Sequence, residues 1–143
     1  MTVRFAQEKD IADIANLERS CFVEPWSAGQ LAGSLERADF CALVGEVDGE
    51  IVGYICGTAL FETAEIARVA VDINRRRAGL GGKLLDEFLA LVKSRGAERV
   101  FLEVRVSNAA AIGLYESRAF SPLRVRLKYY GDGEDGLEMK KDF

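Results

Sequence analysis

The sequence predicts a mixed α/β (α+β) fold: a central sheet with parallel and antiparallel strands, flanked by helices. Three observations carry that reading. Apolar residues recur at three- and four-residue steps through Ile11, Ile14, Leu17, Cys21 and Phe22, and again through Leu80, Leu84, Leu85, Phe88, Leu91 and Val92, the period of helices. Two runs of strand formers, 40–47 and 51–60, are joined by Asp48-Gly49, a tight hairpin signal. A strand-like run at 63–71, the second helical stretch and another strand at 99–104 follow in the order of a parallel strand-helix-strand unit.

The remaining elements fit between these. A short strand at 2–6 precedes the first helix, which ends near Phe22. Pro25-Trp26-Ser27 interrupts the helical period, and Ser27 can cap a short second helix carrying Leu31 and Leu35. Gly96 stops the long helix. A third major helix covers 108–117, and 120–130 with 137–140 read as a closing hairpin. With no repeat, low-complexity tract or linker, residues 1–143 are expected to form one domain.

Composition narrows the chemistry. Apolar residues make up 49% and charged residues 29% of the chain, the balance of a globular protein with a packed core. The longest uncharged stretch, Ile51 to Phe61, is too short to span a bilayer, and the first ten residues carry charges where a signal peptide needs an apolar core. A cytoplasmic location without membrane attachment is the expectation. Cys21, Cys41 and Cys56 lack metal or disulfide spacing and are expected to be buried apolar residues, with no metal site. The chain has no histidine, which removes the commonest base and metal ligand and leaves Glu, Asp, Tyr or Lys for proton transfer. A net charge of −4 gives no global reason to expect a nucleic-acid partner.

The most informative segment is Arg75-Arg76-Arg77-Ala78-Gly79-Leu80-Gly81-Gly82-Lys83, between a strand and a helix N-terminus. Free amide hydrogens, glycines that admit close approach, the helix dipole and adjacent arginines together suit a pyrophosphate. A nucleotide P-loop ending at Gly82-Lys83 would need glycine at Arg77 and Ser or Thr at Leu84. A dinucleotide fingerprint built on Gly79 and Gly81 lacks its third glycine, again at Leu84. Neither ATP nor NAD is therefore expected.

Arg76-x-x-Gly79-x-Gly81, after Ala70-Val71 and before Leu84-Leu85, resembles the pyrophosphate signature of the GNAT superfamily of N-acetyltransferases. The stretch Leu102 to Ser117, LEVRVSNAAAIGLYES, is similar to the strand and helix of the RimI group within it. Cys21-Phe22-x-x-Pro25-Trp26-Ser27 resembles that group's substrate-side loop. The resemblance covers essentially the whole chain and implies the GNAT fold, with acetyl-CoA as co-substrate and no metal.

It also implies residue roles. The backbone of Val69, Ala70 and Val71 would pair with pantetheine, and Arg76, Arg77, Ala78, Gly79, Leu80, Gly81 and Gly82 would hold the pyrophosphate. Asn108 would contact acetyl-CoA, Tyr115 would be the general acid and Glu103 the proton acceptor. Read alone, these residues have plainer alternatives: Asn108 as a helix cap, Tyr115 as packing and Glu103 as a solvent-facing strand residue. The implied acceptor is a protein N-terminus, the N-terminal alanine of a small-subunit ribosomal protein in the RimI group. Glu24, Glu36 and Asp39 could meet a basic peptide. The alternatives are a GNAT enzyme acting on a small amine or a protein lysine, and a non-catalytic acyl-CoA-binding module. Two departures stand out from the family pattern: Ala119 where glycine is usual, and a short 131–133 loop.

Overall fold

The computed structural model describes residues 1–143. Its strands are β1 (Thr2–Phe5), β2 (Phe40–Val47), β3 (Glu50–Leu60), β4 (Thr63–Val71), β5 (Arg99–Arg105), β6 (Ser121–Arg126) and β7 (Gly136–Asp142). Its helices are α1 (Ile11–Cys21), α2 (Ala28–Leu35), α3 (Leu80–Ser94) and α4 (Ala109–Ser117). All seven strands join one sheet in the order β1-β2-β3-β4-β5-β7-β6, in which β4 and β5 are the parallel pair.

Local chemistry explains the boundaries. Asp48 and Gly49 both take positive φ, 51° and 81°, as a two-residue turn between twisted antiparallel strands requires. The Ser27 hydroxyl accepts from the Gln30 amide while the Gln30 side chain accepts from the Ser27 amide, a reciprocal cap that starts α2. Gly96 takes a φ of 99° just past α3. The first strand of the closing hairpin is shorter than the sequence predicts, and the second is longer, Gly136–Asp142. β6 stops at Arg126, Lys128 has a φ of 51°, and its amide turns to the Asp135 carboxylate instead of the ladder. β7 lies between β5 and β6, which makes β6 an edge of the sheet.

Helices cover both faces. Leu84, Leu85, Phe88 and Val92 of α3 bury themselves on Ile55, Ile66, Val100 and Leu102. On the other face Ile14 and Leu17 of α1, with Leu31 of α2, pack on Val44, Tyr54, Cys56 and Ala70. Cys41 and Cys56 are buried as expected, whereas Cys21 is only half-buried because it lies at the end of α1.

One irregularity shapes the sheet. Gly57 pairs with Ile66 but Cys56 pairs with Arg68, so Ala67 is an extra residue in β4, a bulge that bends the strand. Gly57 is required there, since a Cβ would run into the Glu65 carbonyl. Just at this point β4 and β5 separate. Their pairing runs from Thr63 with Arg99 to Ile66 with Leu102 and then ceases. Beyond it β4 stays on β3 as far as Val71, while β5 stays on β7 as far as Arg105.

Candidate active site

The separation leaves a wedge-shaped gap in the middle of the sheet, edged by Val69, Ala70 and Val71 on one side and Glu103 to Arg105 on the other. Backbone groups facing the gap have lost a ladder partner and suit an extended amide-bearing chain. The turn from Arg76 to Gly82 lies just beyond the end of β4. The Lys83 amide makes the first intrahelical bond of α3, to the Gly79 carbonyl at 3.1 Å, so the amides of Leu80, Gly81 and Gly82 have no acceptor in the helix. No acidic residue stands in that first turn. A Cβ at Gly79 would meet nothing within 4 Å, and one at Gly81 would meet only Leu114 and Val71, each at 3.7 Å. These residues therefore fit a pyrophosphate.

The three arginines divide their work. Arg75 pairs with Glu50 at 3.7 Å. Arg76 folds back on the end of β4, its Nε donating to the Val71 carbonyl at 3.2 Å and its guanidinium 3.6 Å from the Cys21 sulfur. Its side chain thus braces the turn. Arg77, exposed and at a φ of 67°, keeps a free guanidinium beside the helix terminus, and Ala78 is exposed next to it.

Glu103 lies on β5 one residue beyond the last β4 pairing. Its side chain is 19% exposed and its Oε1 is 3.2 Å from Arg126 Nε, without hydrogen-bond alignment; its Oε2 is buried without a partner. Burial, then repulsion from Glu138, raises the Glu103 pKa against the opposing pull of Arg126. Tyr115 sits at the end of α4, buried, with its ring edge-on to Phe120 at 5.7 Å. Burial and the nearby Tyr130 phenol push its pKa up to about 12, so the hydroxyl keeps its proton across the physiological range.

The acetyltransferase (GNAT) family model matches residues 11–120. The chain belongs to the GNAT family. It is 36% identical over 140 residues to the putative ribosomal protein bS18-alanine N-acetyltransferase of Bacillus subtilis, covering 96% of this chain and 92% of that one. It is 33% identical over 150 residues to an N-alpha-acetyltransferase of Sulfurisphaera tokodaii, covering 96% and 90% of the two chains. The crystal structure of the ribosomal-protein-alanine N-acetyltransferase of Escherichia coli superposes with a TM-score of 0.91 at 30% identity, over 99% of this chain and 92% of that one. This GNAT protein is accordingly an N-acetyltransferase, and acetyl-CoA is the acyl donor of its family.

Other residues look different in three dimensions than in the GNAT sequence pattern. Asn108 is the N-cap of α4, its side-chain oxygen accepting from the Ala111 amide at 3.1 Å, which engages the carbonyl end of the amide and leaves its NH2 free. Ala119 has a φ of 67°. The amides of Ala119 and Phe120 return to the carbonyls of Glu116 and Tyr115 at 3.0 and 3.1 Å, the full capping motif that glycine normally occupies. The anticipated acidic surface does not form as one patch. Asp39 is tied to Arg37 at 2.8 Å and its carbonyl binds the Ala59 amide, at the end of the sheet where β4 and β5 are still paired. Glu36 ends α2 before that same strand junction, and Glu24 alone reaches the gap's entrance, its carboxylate lying against Gly131.

Four residues near the gap escaped sequence reasoning. Arg126 binds both Glu103 and Glu138. Arg105, on β5, binds Asp132 and Glu134 at 2.8 and 3.0 Å and stacks 4.2 Å from the Tyr130 ring, fastening the β6–β7 connection. Arg68, on β4, meets Glu18, which is fully buried on α1. The available signal was Glu18 itself, a charge on the apolar stripe that also holds Ile14 and Cys21, with an arginine interrupting the apolar strand Ile66 to Val71 to match it.

Proposed function

We propose that this enzyme transfers the acetyl group of acetyl-CoA to the α-amine of a protein N-terminus, with the N-terminal alanine of a small-subunit ribosomal protein as acceptor. The observation that carries this reading is a half-buried carboxyl of raised pKa, Glu103, at the edge of a gap in the sheet. The curated names of the Bacillus subtilis and Sulfurisphaera tokodaii relatives support the acceptor class.

Acetyl-CoA supplies an activated thioester carbonyl. The backbone of Val69, Ala70 and Val71 binds the pantetheine amides, and the main chain from Arg76 to Gly82 binds the pyrophosphate, with Arg77 adding charge. The Asn108 amide nitrogen, free of the cap bond, donates to the same cofactor. Glu103 takes a proton from the acceptor ammonium through water, and the Tyr115 hydroxyl gives one to the departing thiolate. An α-amine near pKa 7.7–8.0 is roughly a quarter neutral at pH 7.4, whereas a lysine near 10.4 is about 0.1% neutral, so a carboxylate base suffices for N-termini. Direct attack needs no covalent enzyme intermediate, consistent with a chain that lacks histidine.

Two comparisons test this. Acetyl-CoA should raise the melting temperature by binding the native state, with ATP and NAD at equal concentration inert, and Gly81→Val should abolish that response. Alanyl peptides of several residues should be acetylated far faster than alaninamide. Equal rates would favour a small-amine acceptor.

A further inference from the structure

Arg68 is the charged residue of β4 nearest the gap, and it faces the side on which the loop between α1 and α2 lies. Its guanidinium stands 4.3 Å from the centroid of the Phe22 ring and 4.6 Å from that of Trp26, and it donates to the Glu24 carbonyl at 2.9 Å. Three residues of one loop thus meet a single cation. Stacking of this kind depends on the planar guanidinium and is not reproduced by an ammonium.

The same cation lies over an anion. Arg68 Nε is 3.4 Å from Glu18 Oε1, and Glu18, 0% exposed, also accepts from the Trp26 amide at 2.7 Å and from the Tyr54 hydroxyl. Arg68 and Glu18 therefore hold Trp26 from two directions, ring and backbone. Apart from these contacts the loop rests on the core only through the half-buried rings of Phe22 and Trp26; Val23 is 74% exposed, and Glu24 and Pro25 are exposed. The Glu24 carboxylate, placed by this bracket, lies against Gly131 of the β6–β7 connection.

We infer that Arg68 is a positioning residue: by stacking between Phe22 and Trp26 it fixes the entrance loop to the strand that lines the gap and so sets acceptor binding, without touching the reacting atoms. The inference rests on the reading that the acceptor enters past this loop. A charge placed only to neutralise Glu18 would be replaceable by lysine. A stacked bracket would not.

Trp26 is the sole tryptophan, so its emission reports the loop whether or not an acceptor is known. The measurement compares wild type, Arg68→Lys, Arg68→Met and the double variant Arg68→Met with Glu18→Gln, which leaves no uncompensated buried charge. In each, acrylamide quenching of Trp26 is read beside steady-state kinetics with an alanyl peptide. Arg68→Lys and the double variant should both fold, expose Trp26 to quencher and raise the acceptor KM about tenfold, with kcat and the acetyl-CoA KM within about twofold of wild type. Wild-type quenching and acceptor KM in Arg68→Lys or in the double variant would overturn the inference. If the wild type acetylates no peptide, the acceptor reading fails, and unchanged quenching in the double variant still decides against the bracket.

Discussion

Glu103 and Glu138 stand directly opposite each other on β5 and β7, and their carboxyls are driven in opposite directions. Glu138 receives hydrogen bonds at 2.9 Å from both Arg124 and Arg126, which lower its pKa. Glu103, half-buried and facing that fixed anion, is raised. Environments that pull two carboxyls apart leave one permanently ionised and the other able to exchange protons nearer neutrality.

That split sets a pH dependence. A base must be ionised, so turnover should fall as pH drops through the raised Glu103 pKa, at a higher pH than an ordinary glutamate would give. Glu103→Gln should erase this acidic limb and cost ~10²–10⁴-fold in kcat. Arg126→Gln removes the cation that lowers Glu103 and should move the limb to higher pH. A limb that stays in place or moves down in Arg126→Gln would contradict the assignment.

Tyr115→Phe should lower kcat by ~10²–10⁴-fold and leave the acetyl-CoA thermal shift nearly intact, since the hydroxyl acts after attack. Because burial pushes the phenol up to about 12, it should contribute no basic limb near neutral pH. The pH profile of the variant should thus keep its shape and lose height.

Asn108 can be dissected because its amide oxygen is engaged by the helix while its NH2 is free for the proposed cofactor contact. Asn108→Asp keeps an oxygen for the Ala111 amide but loses the NH2 donor, so acetyl-CoA affinity should fall with little change in melting temperature. Asn108→Ala should lose both, with a further ~1 kcal/mol of stability. Equal acetyl-CoA affinity in Asn108→Asp and wild type, read by titration, would make Asn108 a cap and nothing more.

Ala119 holds a left-handed conformation that costs an alanine about 1 kcal/mol relative to glycine. Ala119→Gly should raise the melting temperature by roughly 3–4 °C. Calorimetry reads this directly, and a lower melting temperature would show that the turn is held by contacts of the methyl group.

Much of the fold was legible because local signals agreed with it. β4 begins and ends where its run of strand formers does, and the caps at Ser27 and Gly96 and the turn at Asp48-Gly49 are each fixed by side-chain or φ requirements of the residues themselves. Long-range pairing was not legible. Nothing local says that β7 inserts between β5 and β6, or that Leu127 to Tyr130, though rich in strand formers, leave the ladder. In the candidate site, the positions of the turn at Gly79 to Gly82 and of the gap edges at Val69 to Val71 and Glu103 followed from motif and order. The arginines around them could not, because Arg68, Arg105 and Arg126 draw their meaning from partners on other elements.

Locating the added mass decides whether the proposed acceptor is a protein N-terminus. The enzyme is incubated with acetyl-CoA and peptides that begin with alanine and contain an internal lysine, with the N-terminus free or blocked. Fragmentation mass spectrometry then assigns the acetyl group. Acetylation is expected at the α-amine of the free peptide, with no transfer to the blocked one. Acetyl groups on the lysine side chain, with the blocked peptide modified as readily as the free one, would rule out the N-terminal acceptor.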